Sequence, residues 1–198
     1  MSKAWRRRTQ KDPYRRRAQA EGYRSRAAYK LKEIATRHGV VQPGDVVVDL
    51  GAAPGGWSQI AIELVGPKGR VIAVDVKPME PLPGVLVMQG DVTRPETQAL
   101  IRETTGTVDV VLSDMAPRIS GAYAMDHAKS IALAETALDA ALQVLRPGGR
   151  FAVKVFQGDM FKRFYDRVGR SFEEHRALRP AATRKGSSEV YVLGFGRR

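Results

Sequence analysis

The sequence predicts an α/β fold in which helices cover both faces of a mostly parallel, Rossmann-like sheet. Apolar runs rich in β-branched residues alternate with helical runs, as is typical of parallel strands joined by crossover helices. A glycine-rich turn directly follows the first of these strands. The last two β-rich runs are separated mainly by a polar turn, so we expect them to pair as an antiparallel hairpin at the edge of the sheet.

A helix is predicted before the sheet, between Arg24 and His38. Small and apolar residues recur there at helical spacing, and Gly39 follows where a C-capping glycine is expected. The alternation then predicts the following elements in order: strand 46–50, helix 57–65, strand 71–76, strand 85–88, helix 96–103 and strand 108–112.

The longest helix is predicted over residues 124–145, with Ile131, Leu138 and Leu145 on one face. A Pro-Gly-Gly sequence at 147–149 should end it. The remaining predicted elements are strand 151–156, helix 160–172 and the two final strands, 175–178 and 190–195.

The glycine-rich turn lies within the sequence DLGAAPGGWS, residues 49–58. In a doubly wound sheet, such a turn lets the backbone approach a ligand bound beyond the carboxyl ends of the strands. Its glycines nearly fit the G-x-G-x-x-G pattern, but the middle position is Ala53. Because the additional Cβ obstructs the close approach of a pyrophosphate, the turn favours a nucleoside without a diphosphate over a dinucleotide.

Acidic residues follow the next two strands. Asp75, at the end of its strand, could accept hydrogen bonds from both hydroxyls of a ribose. Asp91 follows the neighbouring strand and suits an adenine amino group. Three neighbouring strand ends with this chemistry predict a pocket for S-adenosylmethionine. The side chain of Trp57 either packs its helix against the rest of the protein or shields the bound cofactor from solvent.

Positive charge is concentrated at the N-terminus. Of a formal net charge of +12, most comes from residues 1–32, which contain twelve Lys or Arg and two acids, with Trp5 and Tyr14 interleaved. Such a segment suits phosphate neutralisation and stacking on unpaired bases. We therefore expect a basic, flexible arm at residues 1–22 and one catalytic domain at 23–198.

Composition narrows the functional classes. The chain has no cysteine, so a disulfide framework, a thiolate nucleophile and a Cys-ligated zinc are excluded, and its three histidines lack metal-ligand spacing. No apolar run approaches the length of a membrane span. We expect a soluble, cytoplasmic monomer that binds no metal.

Five sequence motifs resemble the FtsJ/RrmJ family of ribosomal RNA 2′-O-ribose methyltransferases. They are RSRAAYKL (24–31), DLGAAPGGWSQ (49–59), SDMAP (113–117), VKVFQG (153–158) and SSEVY (187–191). The resemblance extends over residues 22–198, with the motifs in the same order. It implies a class I S-adenosylmethionine-dependent methyltransferase fold, whose seven-stranded sheet has an antiparallel last strand.

The resemblance also implies a set of site residues. The family's catalytic Lys-Asp-Lys-Glu tetrad matches Lys30, Asp114, Lys154 and Glu189, and its substrate is a uridine of large-subunit ribosomal RNA. The expected S-adenosylmethionine contacts are Asp49, Gly51, Ala52, Pro54, Gly55, Gly56, Trp57, Asp75, Asp91 and Asp114. Candidate RNA contacts are Arg24, Arg26, Arg184 and Lys185.

Lys154 is our candidate for the group that receives the proton of the 2′-hydroxyl. An ordinary lysine is protonated at neutral pH. A neighbouring sulfonium and desolvation disfavour that form, whereas Asp114 and Glu189 favour it. The sequence therefore leaves open whether Lys154 removes the proton or steers the hydroxyl.

Other functions remain possible from the sequence alone. The same tetrad chemistry would serve a 2′-hydroxyl of transfer RNA or of an mRNA cap. A base N-methyltransferase is disfavoured, because DMAP replaces the D-P-P-Y type of motif after the fourth strand. A non-catalytic ribosome-assembly module would keep the basic arm without needing the tetrad. An NAD-dependent oxidoreductase is the third alternative.

Overall fold

The computed structural model describes residues 12–198, which form a seven-stranded sheet covered by helices on both faces. The spatial order of the strands is β3-β2-β1-β4-β5-β7-β6. The chain runs through α1 (Pro13–Ala20), α2 (Ala28–His38), β1 (Val46–Leu50), α3 (Gly56–Val65), β2 (Arg70–Asp75), β3 (Val85–Gln89), α4 (Pro95–Thr105), β4 (Val108–Ser113), α5 (Tyr123–Val144), β5 (Leu145–Phe156), α6 (Phe161–Ser171), β6 (Phe172–Leu178) and β7 (Glu189–Arg197). This architecture confirms the predicted class I methyltransferase fold.

Strands β1 to β5 are all parallel to one another. Strand β7 is antiparallel to both of its neighbours, β5 and β6. The predicted antiparallel pairing of the last two strands at the edge of the sheet is therefore confirmed. Strand β6 forms the edge itself, and β7, which carries Glu189, lies between β5 and β6.

Most predicted helices differ from the observed ones by one or two residues. The exception is α2, which begins at Ala28 rather than at Arg24 and ends, as expected, at a left-handed Gly39. Residues 24–27 are not helical, and this leaves the guanidinium of Arg24 free to reach the loop at residues 80–81.

The predicted arm contains an additional helix, α1, which the sequence did not lead us to expect. Asp12 caps it by accepting a hydrogen bond from the backbone N–H of Arg15 at 3.3 Å, and Pro13 occupies its first turn. The helix packs through the buried Ala18 beside Tyr29 and Ala182. Residues 1–11, which contain most of the Lys and Arg residues of the predicted arm, lie outside the described residues.

Two apolar layers cover the sheet, one on each face. Val48 and Leu50 of β1 face the layer that contains α5 and α6, whereas Val47 faces the layer that contains α2 and α3. Trp57 is 2% exposed and belongs to the second layer. No helix among the described residues is long and apolar enough to cross a membrane.

Candidate active site

Three of the four predicted tetrad residues lie where the parallel strands have their carboxyl ends, and the fourth, Lys30, lies on α2. Ser113 of β4 pairs with Val153 of β5, so Asp114 follows beside Lys154. Because β7 is antiparallel, its first residue, Glu189, lies at this same edge, opposite Phe156. Leu112 and Ala152 lie two positions before Asp114 and Lys154, so they are on the same face of the sheet as these residues. They pack in the apolar layer that contains α2, the helix that carries Lys30.

The four side chains form two ion pairs. The ammonium of Lys30 donates to Oε2 of Glu189 at 2.8 Å. The ammonium of Lys154 lies 3.1 Å from Oδ1 of Asp114 and donates to the backbone carbonyl of Asp114 at 2.5 Å. The structure thus brings together all four residues predicted for the tetrad.

Tyr191 links the two ion pairs, and sequence reasoning did not identify it. Its hydroxyl donates to Oδ1 of Asp114 at 2.7 Å, and the ammonium of Lys30 lies 5.5 Å from its ring centroid. Tyr191 is the direct pairing partner of Lys154 in the β5–β7 ladder. The SSEVY motif contains this tyrosine, but a β-strand pattern alone gives it only a packing role.

Burial makes the charges of this network interdependent. Lys30 is 7% exposed and Lys154 is 5% exposed, so each ammonium requires its carboxylate partner. Burial alone would raise the pKa of Asp114, but the ammonium groups of Lys154 and Lys30 outweigh it and lower that pKa below its usual value. Burial and the adjacent Asp114 raise the pKa of Tyr191 well above its ordinary value.

Asp49 is a second buried carboxylate, at the end of β1 just before the glycine turn. It is 1% exposed, and its Oδ2 accepts a hydrogen bond from the hydroxyl of Ser58 at 2.6 Å. Its Oδ1 is buried and has no hydrogen-bond partner among residues 12–198. Burial, reinforced by the charges of Asp114 and Asp75, raises the pKa of Asp49 to about 7.

A cavity of about 340 Å³ lies beyond the carboxyl ends of the first four strands. It has the size of a small-molecule site. Four of the predicted cofactor contacts line it: Gly51, Asp75, Asp91 and Asp114. Ala53 also lines it, so the position that disfavours a pyrophosphate does face the ligand space.

The glycine turn is held in shape by its neighbours. Gly51 has a positive φ of 74°, and a Cβ at this position would lie 2.3 Å from Cγ of Met115. Oδ2 of Asp75 accepts the backbone N–H of Ala53 at 2.9 Å, which ties the turn to the end of β2. Close approach of the backbone is therefore required at Gly51.

The other predicted cofactor contacts do not line the cavity. Pro54, Gly55 and Gly56 face the segment before α2, and a Cβ on Gly56 would lie 2.2 Å from Oγ of Ser25. Asp49 and Ala52 are buried beside the turn. Trp57 donates from Nε1 to the carbonyl of Ala27 at 2.9 Å and packs against Tyr191, so of its two possible roles the structure supports helix packing.

A larger cleft of about 740 Å³ lies on the other side of the ion-pair network. Lys30 and Glu189 line it, together with Arg26, Arg184 and Lys185. Three of the four predicted RNA contacts therefore lie at one cleft, next to two residues of the tetrad.

Arg24 has a structural role that the sequence did not indicate. Its guanidinium donates to the backbone carbonyls of Pro54 at 3.3 Å, Glu80 at 2.7 Å and Pro81 at 2.7 Å. These bonds fasten the glycine turn to the loop after β2. They use three of the five N–H donors of the guanidinium, and the RNA contact expected of Arg24 stays a prediction.

Asp12 pairs with two of the arginines at the cleft, and sequence reasoning missed it. Its Oδ2 contacts the guanidinium of Arg26 and lies 3.2 Å from Nε of Arg184. Arg26 also donates to the carbonyl of Ala182. One buried carboxylate thus fixes two cations from opposite ends of the chain.

A family comparison adds to this geometry. A model of the family described as FtsJ-like methyltransferase matches residues 23–197. The chain belongs to the FtsJ-like methyltransferase family. It is therefore a methyltransferase, as the sequence predicted. No group of His, Cys, Asp or Glu residues within positions 12–198 is arranged to hold a metal ion.

Proteins similar to this FtsJ-like chain include two named ribosomal RNA large subunit methyltransferase E. The one from Methanocella arvoryzae is 49% identical over 187 residues, which cover 94% of this chain and 73% of the relative. The one from Acinetobacter baylyi is 51% identical over 199 residues and covers 100% and 92%, respectively. A crystal structure described as a ribosomal RNA methyltransferase from Plasmodium falciparum matches with a TM-score of 0.78 at 26% identity, covering 88% of this chain and 98% of that one.

Proposed function

We propose that this protein transfers a methyl group from S-adenosylmethionine to the ribose 2′-hydroxyl of a uridine in large-subunit ribosomal RNA. The observation that carries the proposal is the position of the ion-pair network. Asp114 lines the smaller cavity, whereas Lys30 and Glu189 line the larger cleft. The network thus stands between a cofactor-sized space and a basic cleft, as a group transfer between two bound molecules requires.

The residues of the smaller cavity fit S-adenosylmethionine. Asp75, Asp91 and Asp114 contribute three carboxylates to its wall, and Lys77 is the basic residue among the lining positions. This charge suits a cationic ligand with hydroxyl and amino groups, and it opposes a diphosphate, which argues against NAD. When bound, S-adenosylmethionine supplies an electrophilic methyl group on a sulfonium.

In the proposed reaction, Lys154 accepts the proton of the 2′-hydroxyl as the oxygen takes the methyl group. A neutral lysine amine has two N–H donors and one lone pair. Both donors have partners in the backbone carbonyl and Oδ1 of Asp114, so the lone pair is left for the incoming proton. Asp114 orients Lys154, and Lys30 with Glu189 positions the ribose from the side of the larger cleft.

Ribosomal RNA is favoured as the substrate by the names of the relatives and by charge. The basic cleft residues and the N-terminal cluster of Lys and Arg suit a phosphate backbone. Relatives from two organisms carry the same large-subunit name, and each aligns with more than nine-tenths of this chain. We propose that the protein acts as a monomer in the cytoplasm, where ribosomes are assembled.

The test of this proposal is methyl transfer by Lys154→Met and by a control, Lys162→Met. Lys162 lies on α6 and is exposed, so its loss should leave activity unchanged. Labelled S-adenosylmethionine is incubated with large subunits that lack the modification, and the product is mapped by mass spectrometry. We expect Lys154→Met to lose about 100-fold or more in turnover while it binds S-adenosylmethionine normally in calorimetry. Turnover within tenfold of wild type would exclude Lys154 as the proton acceptor.

The same assay separates the alternative substrates. Methylation mapped to transfer RNA or an mRNA cap, with large subunits unmodified, would overturn the proposed substrate. Thermal stabilisation by S-adenosylmethionine but not by NAD is expected, because a ligand stabilises the protein that binds it, and stabilisation by NAD alone would overturn the proposed methyl donor.

A further inference from the structure

An exposed tyrosine forms part of the larger cleft without a role in the reaction described above. Tyr123 is the first residue of α5, is 63% exposed and lines the cleft with Lys30 and Glu189. Its ring stacks at 10° on the buried ring of His127, with 6.3 Å between the centroids. The tyrosine ring thus lies nearly parallel to a buried ring of the protein, and most of its side chain is open to solvent.

Hydrogen bonds fix the position of Tyr123 relative to the tetrad. Its hydroxyl donates to the carbonyl of Gln157 at 2.9 Å. The backbone N–H of Gln157 donates in turn to the carbonyl of Ser188 at 2.8 Å, next to Glu189. Two hydrogen bonds therefore connect Tyr123, through Gln157, to Ser188, the residue before Glu189.

The loop before Tyr123 is also fixed. Oδ1 of Asp126 accepts hydrogen bonds from the backbone N–H of Ser120 at 2.9 Å and from its hydroxyl at 2.7 Å. Oδ2 of Asp126 accepts the N–H of Gly121 at 3.1 Å. These bonds present Ile119, which is also exposed, at the same cleft. Two large exposed side chains, Ile119 and Tyr123, therefore lie at the cleft, although contact with water is unfavourable for their apolar surface.

We infer that the exposed face of Tyr123 is a stacking platform for an unpaired base of the RNA strand that enters the cleft, at or next to the modified nucleotide. Unpaired bases stack on aromatic side chains, whereas phosphates are bound by cations. The cleft presents both groups: Arg26, Arg184 and Lys185 for the backbone, and Tyr123 for a base. This inference rests on the proposed function and adds the means by which the strand is oriented over the tetrad.

The test compares Tyr123→Phe, Tyr123→Leu and Tyr123→Ala. The phenylalanine variant keeps the ring, the leucine variant keeps apolar bulk, and Leu100→Ala is a control that truncates an exposed apolar residue on α4. Binding is measured by fluorescence anisotropy with two labelled probes, an oligouridylate of about ten nucleotides and an abasic ribose-phosphate strand of equal length. The probes carry equal charge, so their difference reports contacts to bases.

We expect Tyr123→Ala and Tyr123→Leu to bind the oligouridylate about 5- to 150-fold more weakly than wild type, and the abasic strand equally well. Leu100→Ala should bind both probes as wild type does. Tyr123→Phe, which keeps the ring but loses the hydrogen bond to Gln157, should bind the oligouridylate more tightly than Tyr123→Leu does and the abasic strand as wild type does. Wild-type oligouridylate binding by Tyr123→Ala, or equal losses on both probes, would overturn the inference. Because this binding assay needs no methyl donor, its outcome is independent of whether wild-type protein methylates large subunits.

Discussion

Replacing Asp49 by Asn should stabilise the protein at alkaline pH and have little effect at acidic pH. Asp49 is buried at the end of β1, and its pKa is raised from 3.8 to about 7, first by burial and then by Asp114 and Asp75. The hydroxyl of Ser58 donates to its Oδ2. An asparagine of the same shape can accept this bond through its carbonyl oxygen but never ionises.

The sign and size of the effect follow from proton binding. Between about pH 4 and pH 7 the folded protein holds a proton on Asp49 that the unfolded chain has released, so the stability of wild type falls as the pH rises through this window. A shift of about three pKa units corresponds to roughly 4 kcal/mol once the pH exceeds 7. Asp49→Asn removes this cost, so its advantage over wild type should grow from near zero at pH 4 to a few kcal/mol at pH 8.

The assay is urea denaturation of both proteins at several values of pH, with the difference in unfolding free energy plotted against pH. A control of opposite sign is Asp109→Asn. Burial alone would raise the pKa of Asp109, but the N–H of Val46 and the guanidinium of Arg146 lower it, so the loss of this carboxylate should destabilise the protein at pH 8 and less so as the pH falls. A difference between Asp49→Asn and wild type that does not change between pH 4 and pH 8 would refute the reasoning.

Two further predictions concern the two sides of the site. Gly51→Ala should lower both stability and S-adenosylmethionine affinity, measured by denaturation and calorimetry, because its Cβ would collide with Met115. The control Gly44→Ala has a similar φ of 86° but open space around its Cβ, so it should lose about 1 kcal/mol of stability and no donor affinity. Asp12→Asn should keep the helix cap but leave Arg26 and Arg184 without their carboxylate, which should cost about 1–3 kcal/mol in urea denaturation. Asp166→Asn breaks an exposed pair with Lys162 and should cause little change; equal effects of the two substitutions would contradict the structural role of Asp12.

The elements that could be predicted from sequence are those whose pattern is local. Strand β1 has the predicted bounds because a continuous run of five residues, the last four of them buried, is followed at once by a glycine turn. The carboxyl ends of parallel strands meet on one side of the sheet, so Asp75 and Asp91 could be assigned to one cavity with the glycine turn from the sequence alone, whereas Asp114 was assigned through the family motif. The tetrad depended on the family motif, since an isolated Lys30 or Glu189 would be ambiguous.

The features that escaped prediction depend on partners that are distant in sequence. Asp12 and Arg184 are separated by 172 positions, and nothing in the periodicity of either segment indicates that they meet. The positive charge of Arg24 is visible in the sequence, whereas the three backbone carbonyls that accept its hydrogen bonds are not. The same limit applies to Tyr123, whose exposure at the cleft follows from the loop that Asp126 fixes.

Charge balance connects the geometry of the network with the proposed reaction. Lys30, Asp114, Lys154 and Glu189 supply two cations and two anions when both lysines are protonated. A sulfonium bound in the smaller cavity would add one positive charge, which the carboxylates of Asp75 and Asp91 in the cavity wall would offset. In the reaction we propose, the donor loses its positive charge and Lys154 gains the proton of the 2′-hydroxyl, so the total charge of the site does not change. A largely buried site can therefore carry out this transfer without the cost of a new unpaired charge.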